Sequence, residues 1–291
     1  MTSFKGTGVA LVTPFDSDLK VDYKALERLV NHNIENGAEY LVISGTTGES
    51  ATIGFDEKKE IVAFISKINA GRLPLVLGIG GNNTAMVIKE IQESDLSQID
   101  AILSVSPYYS KPTQEGIYKH FEAIASATEK PVILYNVPGR TGSNVLPSTI
   151  LRLAESHKNI IGVKEAAGNM AQYYELLANK PEEFLVISGD DDLALSVTLA
   201  GGAGVISVIG QAMTRDFTNM IRFGLKNDAL SGTKLHLKLK ELTSLIFTEN
   251  NPAGVKALLQ QLEICSDKVR LPLVPASEEL KSKLSKAINR L

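Results

Sequence analysis

The sequence predicts an α/β fold, a closed (β/α)₈ TIM barrel followed by a C-terminal helical region, and three observations predict it. Eight short runs rich in valine and isoleucine recur along the chain up to residue 209, short and apolar enough to be strands buried on both faces. Each is followed by a segment of helical periodicity after a short connection, the pattern of a parallel sheet that closes on itself. The turn after the first run is Thr13-Pro14-Phe15-Asp16, without the glycine fingerprint on which an open, doubly wound sheet relies.

The strand runs fall at 8–15, 40–45, 73–80, 101–107, 131–138, 160–166, 184–189 and 203–209. Between the first two, residues 23–36 place Leu26, Leu29, Val30 and Ile34 on one stripe, with Lys24, Glu27, Arg28 and Asn31 opposite, an amphipathic helix. Residues 56–68 repeat the pattern with Ile61, Phe64, Ile65 and Ile68. Residues 113–128 open with Thr113, then Gln114 and Glu115, a capped and acidic first turn. After Asn227 the alternation stops. Residues 229–249, 252–262 and 277–291 read as helices without intervening strands, and Pro272 and Pro275 keep the last two apart. The expected organisation is a catalytic barrel domain over 1–227 and a helical domain over 228–291.

Bulk properties narrow the function. A hydrophobic share of 44% and a mean hydropathy of +0.03 give enough apolar surface for a core. A net charge of −3 and a pI near 5.9 provide no global field for nucleic acid or an anionic membrane. The single cysteine, Cys265, excludes an internal disulfide and fits a reducing compartment. The first residues lack the plan of a signal peptide, and no apolar run approaches the ~20 residues of a membrane span. A cytoplasmic, soluble protein with no nucleic-acid or membrane partner is expected.

In such barrels the chemistry sits at the C-terminal ends of the strands. Period-two alternation puts Ile160, Gly162 and Lys164 on one face of the sixth strand and Ile161, Val163 and Glu165 on the other. The Ile161/Val163 face suits packing under the outer helices, so Lys164 points inward with Gly162 leaving space. Burial disfavours a charged amine and frees the lone pair that carbonyl chemistry needs, whereas a lysine at a strand end otherwise snorkels to solvent. Tyr135, on the fifth strand, serves equally as a core aromatic or as a proton shuttle. Thr46 and Thr47, with Gly48, form either a plain turn or a concave anion site of hydroxyls and backbone N–H groups. Arg140 by itself reads first as a surface arginine, though a guanidinium there can clamp a carboxylate.

Other signals are weaker. Gly78-Ile79-Gly80-Gly81 lacks the lysine and spacing of a nucleotide loop, and the glycines at 201–204 suit turns before a buried strand. Asp190-Asp191-Asp192 is expected to open a helix, where acids complement the dipole. His32, His120, His157 and His236 all fall on expected helices and assemble no metal cluster.

Four ordered motifs at strand ends, GTTGES at 45–50, YNVPGRTG at 135–142, GVKEAAGN at 162–169 and SGDDD at 188–192, closely resemble the dihydrodipicolinate synthase family. The resemblance extends from the opening GTGVALVTPF to the helical tail. It implies that pyruvate forms a Schiff base with Lys164, and that the derived enamine attacks aspartate-4-semialdehyde to give 4-hydroxy-tetrahydrodipicolinate on the diaminopimelate route to lysine. It implies a proton relay of Tyr135 and Thr46, joined across a subunit interface by Tyr109. Thr47 would hold the pyruvate carboxylate, Arg140 the carboxylate of the aldehyde, and Gly189 and Ile206 would lie near bound pyruvate. A homotetramer built as a dimer of dimers, without metal or cofactor, is implied as well. N-acetylneuraminate lyases and 2-keto-3-deoxy sugar-acid aldolases are similar and share the lysine and tyrosine, but Arg140 and the paired threonines favour the synthase. A catalytically silent barrel would have lost Lys164 or Tyr135. Lysine-inhibited members carry an acid on the third helix and histidines around the second. Here Met86, Phe55 and Lys58 stand at those positions, although Asn82 and Tyr108 keep the pattern, so weak or absent inhibition is expected.

Overall fold

A strand buried on both faces must also satisfy both of its edges, and closure of the sheet does this for every strand at once. The computed structural model describes residues 4–291. Among them, β1 (Gly6–Ala10), β2 (Tyr40–Ile43), β3 (Leu75–Gly78), β4 (Ala101–Val105), β5 (Val132–Asn136), β6 (Ile160–Glu165), β7 (Leu185–Ser188) and β8 (Gly204–Ser207) form a closed parallel barrel in sequence order. Pairing of β1 with both β2 and β8 completes the ring.

Alternation sorts the side chains into two apolar compartments. Ala10, Val42, Val76, Leu103, Ile133 and Ile206 fill the barrel. Their chain neighbours Val9, Leu41, Leu75, Ile102, Leu134 and Val205 pack beneath the helices. Helix Tyr23–Glu35 buries Leu26, Leu29 and Val30 there, and Asp22 caps it by accepting from Ala25 N at 3.0 Å. Thr113 caps Gln114–Ser126 in the same way, accepting from Gly116 N at 3.2 Å.

Two strands depart from expectation. The ladder of β1 ends at Ala10 rather than running through residue 15: Pro14 has no N–H to give, and Phe15 makes only an isolated antiparallel bridge to Val21. In β6 the register shifts, Val132 facing Ile160 but Ile133 facing Gly162, so Ile161 is an extra residue. Ile160 therefore packs outward, and Ile161 packs against the inner cluster. The alternation expected for these two residues is reversed, while Gly162 and Lys164 face inward and Val163 outward.

The acids at 190–192 do not open a helix. The next helix, Ala194–Leu199, has no acid in its first turn, and Asp191 is buried. His157 ends the helix Pro147–Ser156 as its cap instead of lying within it. Beyond residue 227 come helices Ala229–Leu245, Ala253–Gln261 and Glu278–Ile288. Ala253–Gln261 is buried on nearly every side from Ala253 to Leu259, a charged residue, Lys256, included. Among the described residues no helix is long and apolar enough to cross a membrane.

Candidate active site

The bulge in β6 leaves Lys164 opposite Tyr135 in register, both on the inner face. Lys164 is 6% exposed, and its Nζ lies 4.4 Å from the centroid of the Tyr135 ring. Room for this side chain comes from the residue that follows β7. A Cβ at Gly189 would stand 3.0 Å from Lys164 Cε and 2.6 Å from Ala166 Cβ, so only glycine leaves the lysine stem its path. Gly189 N donates to Glu165 O at 2.6 Å, drawing the two strand ends together. Ile206, fully buried on β8, belongs to the apolar floor.

A cavity of about 490 Å³ opens at this end of the barrel, lined by Thr46, Tyr135, Val137 and Arg140 among others. Thr46 and Thr47 begin a single tight turn, Thr46–Gly48, after β2. The N–H of Gly48 closes onto Gly45 O at 3.0 Å, so it is not available to an anion, contrary to the expected nest. The amides of Thr46 and Thr47 remain at the start of the turn, where helical N–H groups have no internal partner. Thr47 itself is 3% exposed. Arg140, exposed on the short helix Pro138–Thr141, stands at the cavity mouth.

Tyr109 is not brought into this cavity by its own chain. It is 90% exposed, with φ +71°, a left-handed conformation uncommon for a bulky residue and typical of functional strain. Tyr108 lines the cavity instead. The side of the cavity toward the second helix, Phe55–Asn69, carries Phe55 and Lys58. Lys58 Nζ donates to Gly78 O at 2.6 Å and pairs with Glu90. Burial pushes the Lys58 amine below its usual range, and Glu90 pulls it back up. Met86 is 57% exposed.

Sequence reasoning missed several residues. Asn251, Pro252, Pro272 and Leu273 wall the cavity from the C-terminal region, with no local pattern to reveal them. Behind Lys164, on the outer face of β6, Glu165 accepts from Asn136 Nδ2 at 2.9 Å, Gln172 Nε2 at 2.9 Å and Ala167 N at 2.8 Å. Burial nonetheless pushes its carboxyl up to about 7. Asp191 accepts from Val208 N at 3.1 Å and Ile209 N at 2.8 Å, tying the end of β7 to the segment after β8. Burial pushes it up to about 6, against hydrogen bonds and the nearby Lys164 charge. The sequence signal lies in SGDDD, where a run of acids after a strand suits a helix start equally well.

The arrangement puts a primary amine beside a phenol, with Thr46 on the same cavity wall as the phenol and a guanidinium at the entrance, a set suited to carbonyl condensation between anionic substrates. Comparison with known proteins agrees with that chemistry. The family model for the dihydrodipicolinate synthetase family matches residues 3–291. A 4-hydroxy-tetrahydrodipicolinate synthase from Flavobacterium psychrophilum is 55% identical over 284 residues, 98% of this chain and 97% of the relative. The chloride-inhibited dihydrodipicolinate synthase from Acinetobacter baumannii, solved in complex with pyruvate, superposes with a TM-score of 0.96 at 37% identity, covering 99% of this chain and 98% of its own. That from Cyanidioschyzon merolae, solved with lysine bound, gives 0.94 at 35% identity, with coverage of 99% and 98%. With its barrel, its inward lysine and a match over nearly its whole length, the chain belongs to the dihydrodipicolinate synthetase family.

Proposed function

We propose that this chain is a 4-hydroxy-tetrahydrodipicolinate synthase, a Schiff-base lyase that condenses pyruvate with L-aspartate-4-semialdehyde in lysine biosynthesis. The observation that carries the reading is the inward Lys164 beside Tyr135, with Gly189 holding open the path of its stem. The Lys164 amine adds to the C2 carbonyl of pyruvate, and water leaves to give the imine. Loss of a proton from the pyruvate methyl group gives an enamine, whose carbon attacks the aldehyde. The amine of the semialdehyde then closes onto the imine carbon and expels Lys164. Tyr135 and Thr46 shuttle the protons, with Tyr109 of a neighbouring copy completing the relay. Its exposure and left-handed backbone support that placement. Thr47 holds the pyruvate carboxylate near Gly189 and Ile206, and Arg140 the carboxylate of the aldehyde.

In this reading residues 1–227 form the catalytic barrel and 228–291 a helical region that closes its mouth. The enzyme works in the cytoplasm as a homotetramer, a dimer of dimers in which each dimer shares its relays. Treatment with pyruvate and borohydride is expected to inactivate the protein and add one reduced pyruvyl group at Lys164, because hydride fixes the imine. Labelling elsewhere, or none, refutes the assignment. Arg140→Ala is expected to raise the KM for the semialdehyde far more than that for pyruvate, and equal effects on both would remove Arg140 from the entrance role.

A further inference from the structure

A threonine hydroxyl has one hydrogen to give and lone pairs that accept two, so what it offers a ligand depends on what its neighbours already take. Thr47 Oγ1 accepts a hydrogen bond of 3.0 Å from Asn251 Nδ2, a residue 204 positions further along the chain. Asn251 is 6% exposed and forms part of the cavity wall. An amide N–H on one lone pair turns the hydroxyl hydrogen away from it, toward whatever acceptor shares the site. We propose that Asn251 is a positioning residue: it fixes Thr47 as a hydrogen-bond donor aimed at the carboxylate of the bound 2-oxo acid.

The arrangement around the turn is built to hold this relation. Glu49, two residues past Thr47, is gripped by the same C-terminal region. Lys256 Nζ lies 2.5 Å from its Oε1, and Arg270 N donates to its Oε2 at 2.9 Å. From the barrel side, Thr13 Oγ1 donates to Gly48 O at 2.7 Å. The two residues after Thr47 are thus held between the segment that follows β1 and the tail, which fixes the turn and leaves the rotation of the Thr47 hydroxyl for Asn251 to set. The turn and the tail are pinned by separate contacts, so the Asn251 bond is not needed to hold them together. Its effect falls on substrate binding.

The proposal rests on the reading of Lys164 and Thr47 given above, and the test separates the two. Kinetics with pyruvate and the semialdehyde, together with borohydride trapping and thermal unfolding, are measured for Thr47→Val, Asn251→Leu, their double variant and Asn251→Asp. Each of the first two is expected to raise the pyruvate KM about 10-fold, the low end for a hydrogen bond to a charged group, with kcat within about twofold of native. The double variant is expected to show no more than the Thr47→Val change alone, because without the hydroxyl there is nothing left for residue 251 to orient. Asn251→Asp keeps the size of the side chain should Asn251→Leu fail to fold. At neutral pH its carboxylate takes the Thr47 hydrogen and repels pyruvate, so its KM exceeds that of Asn251→Leu. Relative to native at each pH, that excess shrinks as the carboxyl protonates. A roughly 100-fold rise in the double variant, or an unchanged pyruvate KM in either folded Asn251 variant, overturns the proposal. Native enzyme that traps no pyruvate overturns the site reading and the proposal together, whereas normal trapping with an unaffected Asn251 variant overturns the proposal alone.

Discussion

Lys256→Met tests how the C-terminal region is fastened to the barrel. The Lys256 and Glu49 side chains are 0% and 1% exposed, and Nζ sits 2.5 Å from Oε1. Lys256 also donates to Lys268 O at 2.6 Å and lies 4.2 Å from the centre of the Phe15 ring. Burial lowers the lysine's affinity for its proton, and Glu49 offsets part of that loss. Methionine fills much of the same space but leaves Glu49 without its cation. Breaking a buried pair by removing one partner costs about 3–5 kcal/mol. Arg270 N still donates to Glu49, which places the loss near about 3 kcal/mol. At roughly 2–4 °C per kcal/mol for a chain of this size, the midpoint of thermal unfolding is expected to fall by about 6–12 °C. Lys256→Met/Glu49→Gln removes both charges and is expected to recover most of that loss. Calorimetry at neutral pH measures both. A drop under about 2 °C, or a double variant no better than the single one, refutes the view that pairing is what makes the buried lysine tolerable.

The remaining predictions address the site and its pH dependence. Tyr135→Phe is expected to cut kcat by roughly 10²–10⁴, the range for a positioned acid–base group; near-native turnover in a steady-state assay would make the tyrosine a packing residue. Gly189→Ala puts a methyl group 3.0 Å from Lys164 Cε and 2.6 Å from Ala166 Cβ, so borohydride-trapped imine should form at least about 10-fold more slowly, with an overpacking cost of about 1–3 kcal/mol. L-lysine is expected to inhibit weakly or not at all, because the Lys58 ammonium already occupies Gly78 O and Glu90 and one lost charge-assisted contact is worth about 10–150-fold; half-inhibition below about 1 mM at subsaturating pyruvate would contradict it. Glu165, raised from 4.5 to about 7 by burial, holds a proton in the folded state that the unfolded chain has released between those values. Its contribution of about 3 kcal/mol is full below pH 4.5 and lost as pH rises through 7. Glu165→Gln should therefore gain on native between pH 5 and 8 in denaturant titrations, and parallel stability curves would refute the shift.

The eight strands were legible because burial on both faces leaves a continuous apolar run, and that signal needs no knowledge of neighbours. Their detail was not. Pro14 sits in a run apolar enough to read as strand, yet it cannot join a ladder, and β1 stops at Ala10. The bulge at Ile161 is equally silent, since isoleucine suits either side of the barrel wall. Lys164 was assigned to the inner face by a count that started from the wrong parity at Ile160 and remained right from Gly162 onward. The acids after β7 were misread for a related reason. A helix start and a buried acceptor of backbone N–H groups both select aspartate, and only the approach of residues 208 and 209 to Asp191 separates them.

What local sequence patterns conceal is the dependence of the site on the tail. Thr47 and Asn251 lie 204 positions apart, Glu49 and Lys256 207, and Glu49 and Arg270 221; periodicity and capping rules reach only a few turns of chain. Yet a physical trace of the tail does lie in the turn itself. Glu49 is a carboxylate in the left-handed conformation, φ +57°, and 4% exposed. A charged residue almost never enters a core unless it is paired, and neither Thr46 nor Gly48 offers it a cation. Once the turn is buried, its partner must come from elsewhere in the chain, and the only lysine in the otherwise uncharged run 251–262 is Lys256. The helical region is therefore not an appendage that the barrel could lose with its chemistry intact. Removing it would expose Glu49 and strip Thr47 of the neighbour that orients its hydroxyl. A truncation ending before Asn251 should lose pyruvate binding even if the eight strands still close.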